Sequence, residues 1–572
     1  MVAIQLTRSA TRKTDSRKWI GLSLVILLFI LVAPTVLILL RTSFAETQAT
    51  GDISGFTLSN YTGFLGNPRL GTAFFSSIIF AVGSAILALI VGGALAWLVE
   101  RTNVPFKILA HVTAIVSMGT PYVLYIIAWL FLLGRVGPIN AIWRGMGFSS
   151  DLINVNSMTG MILIEGFLWS PLVFLMLSAN FRSANADMEE AARMSGANVL
   201  QTVWHISIKL AVPAIIALAM FVFIRAIEAF EVPLLVGTPS GIRVLTTEVY
   251  ESMKIVPPQL GQSSAFSVIL LVFVGILFSF YGRLSKNAEK YQSVTGKAFR
   301  PRPFDLGNAR WLAGVFVLGY FLIVLLLPIL ALLWMSLVPF ASGFSLRILP
   351  YLNGSNYRAL LSTPQYLEYG VNTVLVAAGA ATVVVLITAF AAWIAARRGP
   401  FAWAIDQLAT APLIFPGIVM GVAILQIFLR VPVPIYGTLW IILFAYILRY
   451  LPYGMRYNYS GVLQIHRELE EAAGVSGATV MGTFRRIIVP LLTSSATAAW
   501  IFIFLICAKE LALAVLLSGP RSKVLAVAML DLWANGQTGE LAALGLAWTA
   551  VMTALAMLAF WLSNRSRTKA FG

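Results

Sequence analysis

Apolar residues along this chain come in runs of about 20, long enough to cross the roughly 30 Å hydrocarbon layer of a bilayer as helices. Polar residues collect in the stretches between. Twelve such runs centre near residues 30, 86, 121, 169, 222, 273, 323, 382, 418, 445, 503 and 552. The pattern predicts an all-α integral membrane protein with twelve transmembrane helices. The first run, from about Trp19 to Leu40, follows Arg8, Arg12, Lys13, Arg17 and Lys18. It exceeds the roughly 7–15 residues of a signal core and no small-residue cleavage site follows, so it is expected to be a retained first span.

The polar stretches set the orientation. With the N-terminus inside, the inward stretches hold 26 of the 40 Lys and Arg and the outward loops 11, while Arg225, Arg449 and Lys509 fall within spans. This is the positive-inside bias, and it predicts cytoplasmic N- and C-termini. It also accounts for the net charge of +17 without nucleic acid as a partner. Hydrophobic residues make up 59% of the 572 and charged residues 11%, against about a quarter charged in soluble domains. Membrane lipid must therefore be the solvent. The single cysteine, Cys507, excludes a disulfide framework. His111, His205 and His466 are too scattered for a metal site of the usual kind, so no metal is assigned.

One stretch interrupts the apolar pattern near the middle. Residues 283–310, including "KNAEKYQSVTGKAFRPRPFDLGNAR", carry seven Lys or Arg and read as a basic cytoplasmic linker. On either side the chain resembles itself: "FFSSIIFAVGSAILALIVGGALAWLVERTNVPF" answers "YGVNTVLVAAGAATVVVLITAFAAWIAARRGPF", with Trp97 matching Trp393, and "EVPLLVGTP" answers "ALAVLLSGP". Each half has six spans and the matches keep their order, which predicts two parallel six-helix repeats about an axis along the membrane normal. The expected organisation is a cytoplasmic N-terminus, first span and periplasmic loop at 1–69 and a first transmembrane domain at 70–282. After the linker come a seventh span and periplasmic loop at 311–367, a second transmembrane domain at 368–562 and a cytoplasmic tail at 563–572.

One polar phrase also occurs twice. "MEEAARMSGANVLQTVWHISIKL" and "LEEAAGVSGATVMGTFRRIIVPL" lie between the fourth and fifth spans of their halves, on the inward side. Gly196 and Gly477 permit a turn between two short helices. Ala191, Ala192, Ala472 and Ala473 leave room for a partner's side chains, and Glu190 and Glu471 can offer it charge. Two ordinary amphipathic loop helices kept by duplication are the alternative. Duplication does not explain why a solvent-facing loop resembles its copy better than the spans do.

At these residues the chain resembles the fused permease subunits of bacterial type I ABC importers, whose signature is Glu-Ala-Ala, Gly at six, Ile at sixteen, Pro at nineteen and often Pro at twenty-three. The first copy supplies Glu190, Ala191, Ala192, Gly196, Ile206 and Pro213, with Lys209 at the first proline position. The second supplies Glu471, Ala472, Ala473, Gly477, Ile487 and Pro490, with Ser494 at the last. The resemblance implies two ABC type-1 transmembrane domains in a bacterial inner membrane. It further implies docking of the two loops into two copies of an ATP-binding cassette subunit, ATP and Mg on those partners, and cargo delivered by a substrate-binding protein. The chain itself has no Gly-x-x-x-x-Gly-Lys-Ser/Thr loop to cradle phosphates, so a cofactor-free transport subunit is expected, not an enzyme.

Charged residues at membrane depth are costly and default to functional candidates. "FIRAIEAFEVPLL" places Arg225, Glu228 and Glu231 at helical spacing, and the matching "LICAKELALAVLL" carries Lys509 and Glu510. These five either line a translocation path or gate, or pair structurally between helices. Glu165 and Arg449, each on a fourth span, are expected to pair across the halves. Trp129, Trp169 and Trp500 are expected to pack or to sit at the lipid interface. Cargo is weakly encoded. "FEVPLLVGTPSGIRVLTTEVYESM" resembles the ferric-iron branch, with thiamine, phosphonates and polyamines as alternatives. An ion-driven secondary transporter is the rival class, but it has no use for two such loops.

Overall fold

The computed structural model describes residues 2–48, 53–66, 68–183, 187–289, 303–340 and 343–570; residues 290–302 of the basic linker lie outside it. The described residues are helical apart from connecting loops and one two-stranded hairpin pairing Glu46–Thr47 with Ile53–Ser54. Helices dominate because a backbone in lipid must satisfy its own hydrogen bonds, which a helix does within one segment. Among the described residues ten helices are long and apolar enough to cross a membrane, or eleven if a pair bent by 106° counts as one span. Leu439–Leu463, which carries Arg449 and Arg456, is a continuous helix outside that set.

Two predicted spans are broken, each at a proline. The run centred near 121 is split into Lys107–Gly119 and Tyr122–Leu133, with Thr120 extended between them. The run centred near 418 becomes Ala402–Ile414 and Gly417–Arg430, the pair bent by 106°. Pro121 and Pro416 lack an N–H and push the preceding residue out of helical geometry, so each helix stops just before its proline.

Close helix packing depends on small residues. Pro68–Arg101 runs against Met158–Ser183, and Pro364–Ala396 against Leu439–Leu463. A Cβ on Gly92 would lie 2.6 Å from the Ser170 carbonyl, and one on Gly454 would lie 2.6 Å from Thr388 Oγ1. The first helix of each half crosses to the other: Val2–Ser43 packs on Ala402–Thr410 and Gly417–Arg430, while Ala309–Phe321 packs on Lys107–Gly119.

Local devices recur in the two halves. Asn60 Nδ2 donates to the Ser43 and Ala45 carbonyls at 3.0 and 2.9 Å, and Asn356 Nδ2 to those of Ser336 and Val338 at 3.0 and 2.9 Å. The neighbouring Tyr61 and Tyr357 hydroxyls reach Ser43 and Ser336 Oγ at 2.7 and 2.9 Å. Each ties the end of a membrane helix to the segment that follows.

Candidate functional site

Each repeated phrase folds as a short helix, a tight turn and a second helix running into a membrane span. In the first, Asp187–Met194 turns at Gly196 (φ +85°) into Val199–Thr202 and then Ile208–Ile227. In the second, Glu468–Val475 turns at Gly477 (φ +80°) into Val480–Thr483 and then Val489–Cys507. Glycine just past the helix end takes the left-handed conformation that closes the last carbonyls. The Ala197 N–H donates to the Ala192 carbonyl at 3.0 Å and the Ala478 N–H to the Ala473 carbonyl at 2.9 Å. The next helix is capped at once, with Asn198 Oδ1 accepting from the Gln201 N–H at 2.8 Å and Thr479 Oγ1 from the Gly482 N–H at 3.0 Å. The angle between the two short helices is thus set by local chemistry.

Their outer faces are open. Ala191, Gly196, Glu471, Ala472 and Gly477 are exposed, and Ala192 and Ala473 half-buried; the Glu190 side chain lies outside the described residues. Met194 and Val475, at matching positions, are each 91% exposed. Met188 and Leu469, also matching, are exposed as well. Ile206, Ile487 and Pro213 are half-buried where the loops join the spans, and Pro490 is exposed. A widened helical turn occurs at each junction, Val203–Ser207 and Phe484–Ile488.

Beneath these faces lie anchors that the sequence reading missed. Glu189, 3% exposed, accepts from Ser207 Oγ at 2.6 Å and pairs with buried Arg101 at 3.6 Å. Its counterpart Glu470 accepts from Arg397 Nε at 2.7 Å and Trp393 Nε1 at 3.0 Å. Doubled glutamates in both phrases were the available signal: adjacent helical residues face different ways, so one can hold the helix while the other meets solvent.

The intramembrane charges converge where helices break. Ile208–Ile227 ends just before Glu228, so Arg225, Glu228 and Glu231 do not share one helical face as expected. Val489–Cys507 likewise ends just before Lys509 and Glu510. Glu228 pairs with Arg225 at 3.1 Å and, across the halves, with Arg449 at 3.3 Å. Arg449 also donates to the Phe415 carbonyl. Lys509 Nζ reaches across to the Met118 carbonyl at 2.9 Å and lies 4.5 Å over the Tyr122 ring. Both carbonyls belong to segments that stop before a proline, where orphaned oxygens and the negative end of the helix dipole favour a cation. Glu510 accepts from the Tyr450 hydroxyl at 2.6 Å.

The expected pair of Glu165 and Arg449 is therefore replaced. Glu165 accepts from Trp169 Nε1 at 2.8 Å, a neighbour one turn along its own helix, while Arg449 takes Glu228. Glu231 is half-buried and makes no ion pair among the described residues. With Glu228 and Arg449 side chains 3% and 9% exposed, the network is closed to solvent. Trp129 stacks on Phe167 at 5.7 Å, and Trp500 donates to Thr382 Oγ1 at 2.9 Å, so both pack. No group of three or more His, Cys, Asp or Glu suited to a metal occurs among the described residues.

Residues 88–289 match the family of binding-protein-dependent transport system inner membrane components. A ferric transport system permease protein of Actinobacillus pleuropneumoniae is 24% identical over 556 residues, covering 96% of this chain and 78% of that one. An Fe(3+)-transport system permease protein of Haemophilus influenzae is 20% identical over 531 residues, covering 91% of this chain and 93% of its own. A spermidine/putrescine transport system permease protein of Haemophilus influenzae is 27% identical over 267 residues, 46% of this chain and 90% of that one.

Proposed function

We propose a role that proceeds from one premise: this chain is a multi-pass inner-membrane permease of the binding-protein-dependent ABC importers. In this reading its two inward loops seat in two ATP-binding cassette subunits, which bind Mg and ATP. Closure of those subunits drives the halves between inward-open and outward-open arrangements. The observation that carries the reading is the matched geometry of the loops. Both present an exposed glycine-turned helix pair with an apolar side chain 91% exposed at the same position, and both are held from beneath by a glutamate paired with an arginine.

Glu190, Ala191, Ala192, Gly196, Ile206 and Pro213, with Glu471, Ala472, Ala473, Gly477, Ile487 and Pro490, form the docking elements in this account. Twelve spans follow if the bent pair is one span and Leu439–Leu463 another, added to the ten long apolar helices. The recurring asparagine and tyrosine ties and the matched turns support two parallel six-helix repeats with cytoplasmic termini. We place the two transmembrane domains at 70–282 and 368–562.

Arg225, Glu228 and Arg449, with Lys509 reaching the Met118 carbonyl, act as a lock that holds the halves together at mid-membrane. Glu231 and Glu510 lie beside the path that opens when the lock releases. Ferric iron, delivered by a binding protein, is the cargo favoured, because two relatives that each match over 90% of this chain are named as ferric or Fe(3+) transport permeases. A polyamine is the runner-up, on a relative that matches one half. Uptake of labelled ferric iron, with the neighbouring ATPase and binding protein present, tests the cargo. Loss of ATP-dependent uptake in cells lacking only this chain supports it; unchanged iron uptake with lost spermidine uptake overturns it.

A further inference from the structure

The last stretch of the basic linker, from Phe304 on, is not a loose connection. Phe304, 3% exposed, forms a parallel bridge with Thr102. Its N–H donates to the Arg101 carbonyl at 2.7 Å, and its own carbonyl accepts from the Asn103 N–H at 3.0 Å. Its ring lies 6.1 Å from that of Trp97. Asn103 Nδ2 donates to Asp305 Oδ1 at 2.6 Å, and Asn103 Oδ1 accepts from the Leu306 N–H at 3.1 Å. Behind this clip a Cβ on Gly314 would come within 2.5 Å of Pro105 Cγ, so the following helix is pressed onto the same loop. That loop starts at Arg101, the residue that holds Glu189 under the first docking helix.

The second half anchors its docking helix differently. Trp393 and Arg397 both donate to Glu470, and Arg397 also donates to the Ile465 carbonyl at 2.7 Å. A cavity of about 50 Å³ lies beside this anchor, between Ile20, Trp393, Arg397, Pro400 and Val480. The ion pair of the first half is longer, 3.6 Å against 2.7 Å. Trp97 packs on Phe304, and its Nε1 has no hydrogen bond among the described residues, in contrast to that of Trp393. Glu189 is held by Ser207 as well as by this ion pair, and the two main-chain hydrogen bonds of Phe304 fix the loop that carries Arg101.

We propose that Phe304–Leu306 is a latch that positions the first docking helix, by holding the loop that starts at Arg101 and through it Glu189. This rests on the docking reading above. Phe304, Asn103 and Arg101 are positioning residues here, acting through Glu189.

Cysteines at the matching exposed positions, Met194→Cys and Val475→Cys, report each loop separately; the native Cys507 is buried. In the assembled permease–ATPase complex, Phe304→Ala should lower cross-linking of the residue-194 cysteine to the ATPase several-fold and leave the residue-475 yield unchanged. Phe304→Leu, which refills the space over Trp97, should restore most of it. If Phe304→Ala assembles poorly, Asn103→Ala is expected to give the same one-sided loss. An unchanged residue-194 yield, or an equal fall at both sites, overturns the latch. If neither cysteine cross-links to the ATPase in the otherwise unaltered chain, docking itself fails, and the latch with it. Retained cross-linking at both sites in Phe304→Ala, alongside its loss in Glu190→Ala/Glu471→Ala, refutes the latch alone.

Discussion

Replacing Arg449 with methionine tests whether the charges between the halves form a lock. Arg449 and Glu228 approach to 3.3 Å with 9% and 3% of their side chains exposed. Coulomb's law at that distance, with an effective dielectric of about 20, gives roughly 5 kcal/mol. Arg225, at 3.1 Å, still compensates Glu228 in the variant, and methionine avoids the cost of desolvating a guanidinium. About 2 kcal/mol of cross-half stabilisation is therefore expected to disappear. At 1.4 kcal/mol per tenfold, the balance between the arrangement described and its alternative shifts by about thirty-fold. In proteoliposomes with the ATPase but no binding protein, basal ATP hydrolysis should rise more than tenfold while uptake per ATP falls. Glu228→Gln should act in the same direction, and the double variant by less than the sum of the two, because both remove one interaction. A reduced yield of folded complex with unchanged basal hydrolysis would refute the lock and leave only a structural pair.

Three further outcomes follow from the same geometry. Gly477→Val should weaken ATPase association about tenfold, since a left-handed backbone costs a residue with a Cβ roughly 1–2 kcal/mol; nothing else lies within 4 Å, so the loss is conformational. Glu470→Gln keeps the shape but weakens the bond from Arg397 by about 1–2 kcal/mol; ATP hydrolysis should persist while uptake per ATP falls, read by parallel hydrolysis and uptake assays. Lys509→Met leaves the Met118 carbonyl without its donor across the halves; uptake should drop with little change in ATPase co-isolation, which a pull-down checks.

The spans were legible because twenty apolar residues in lipid allow few alternatives. The paired helix–turn–helix loops were legible because the same polar phrase stands twice in an apolar chain. The helix breaks at Thr120–Pro121 and Phe415–Pro416 were obscured, since averaging hydropathy over a span weighs one proline lightly although it removes a donor and redirects the backbone. That local loss propagates: the carbonyls it frees explain where Lys509 and Arg449 settle. The partner of Arg449 could not be read at all. Glu165 and Glu228 both lay at plausible depth, and the choice followed from where Ile208–Ile227 ends. Glu189 and Glu470 were overlooked because the neighbouring glutamates fit a recognisable pattern, and burial is a tertiary property.

The most direct measurement is co-isolation of the ATPase subunit with a chain carrying Glu190→Ala and Glu471→Ala, together with ATP-driven uptake by the same cells. Each lost charged contact is worth roughly 1.5–3 kcal/mol, about ten- to a hundredfold in affinity per loop. The account predicts a chain inserted in the membrane at its usual amount, with the ATPase no longer retained and uptake abolished. Retention of the ATPase with normal uptake would contradict it.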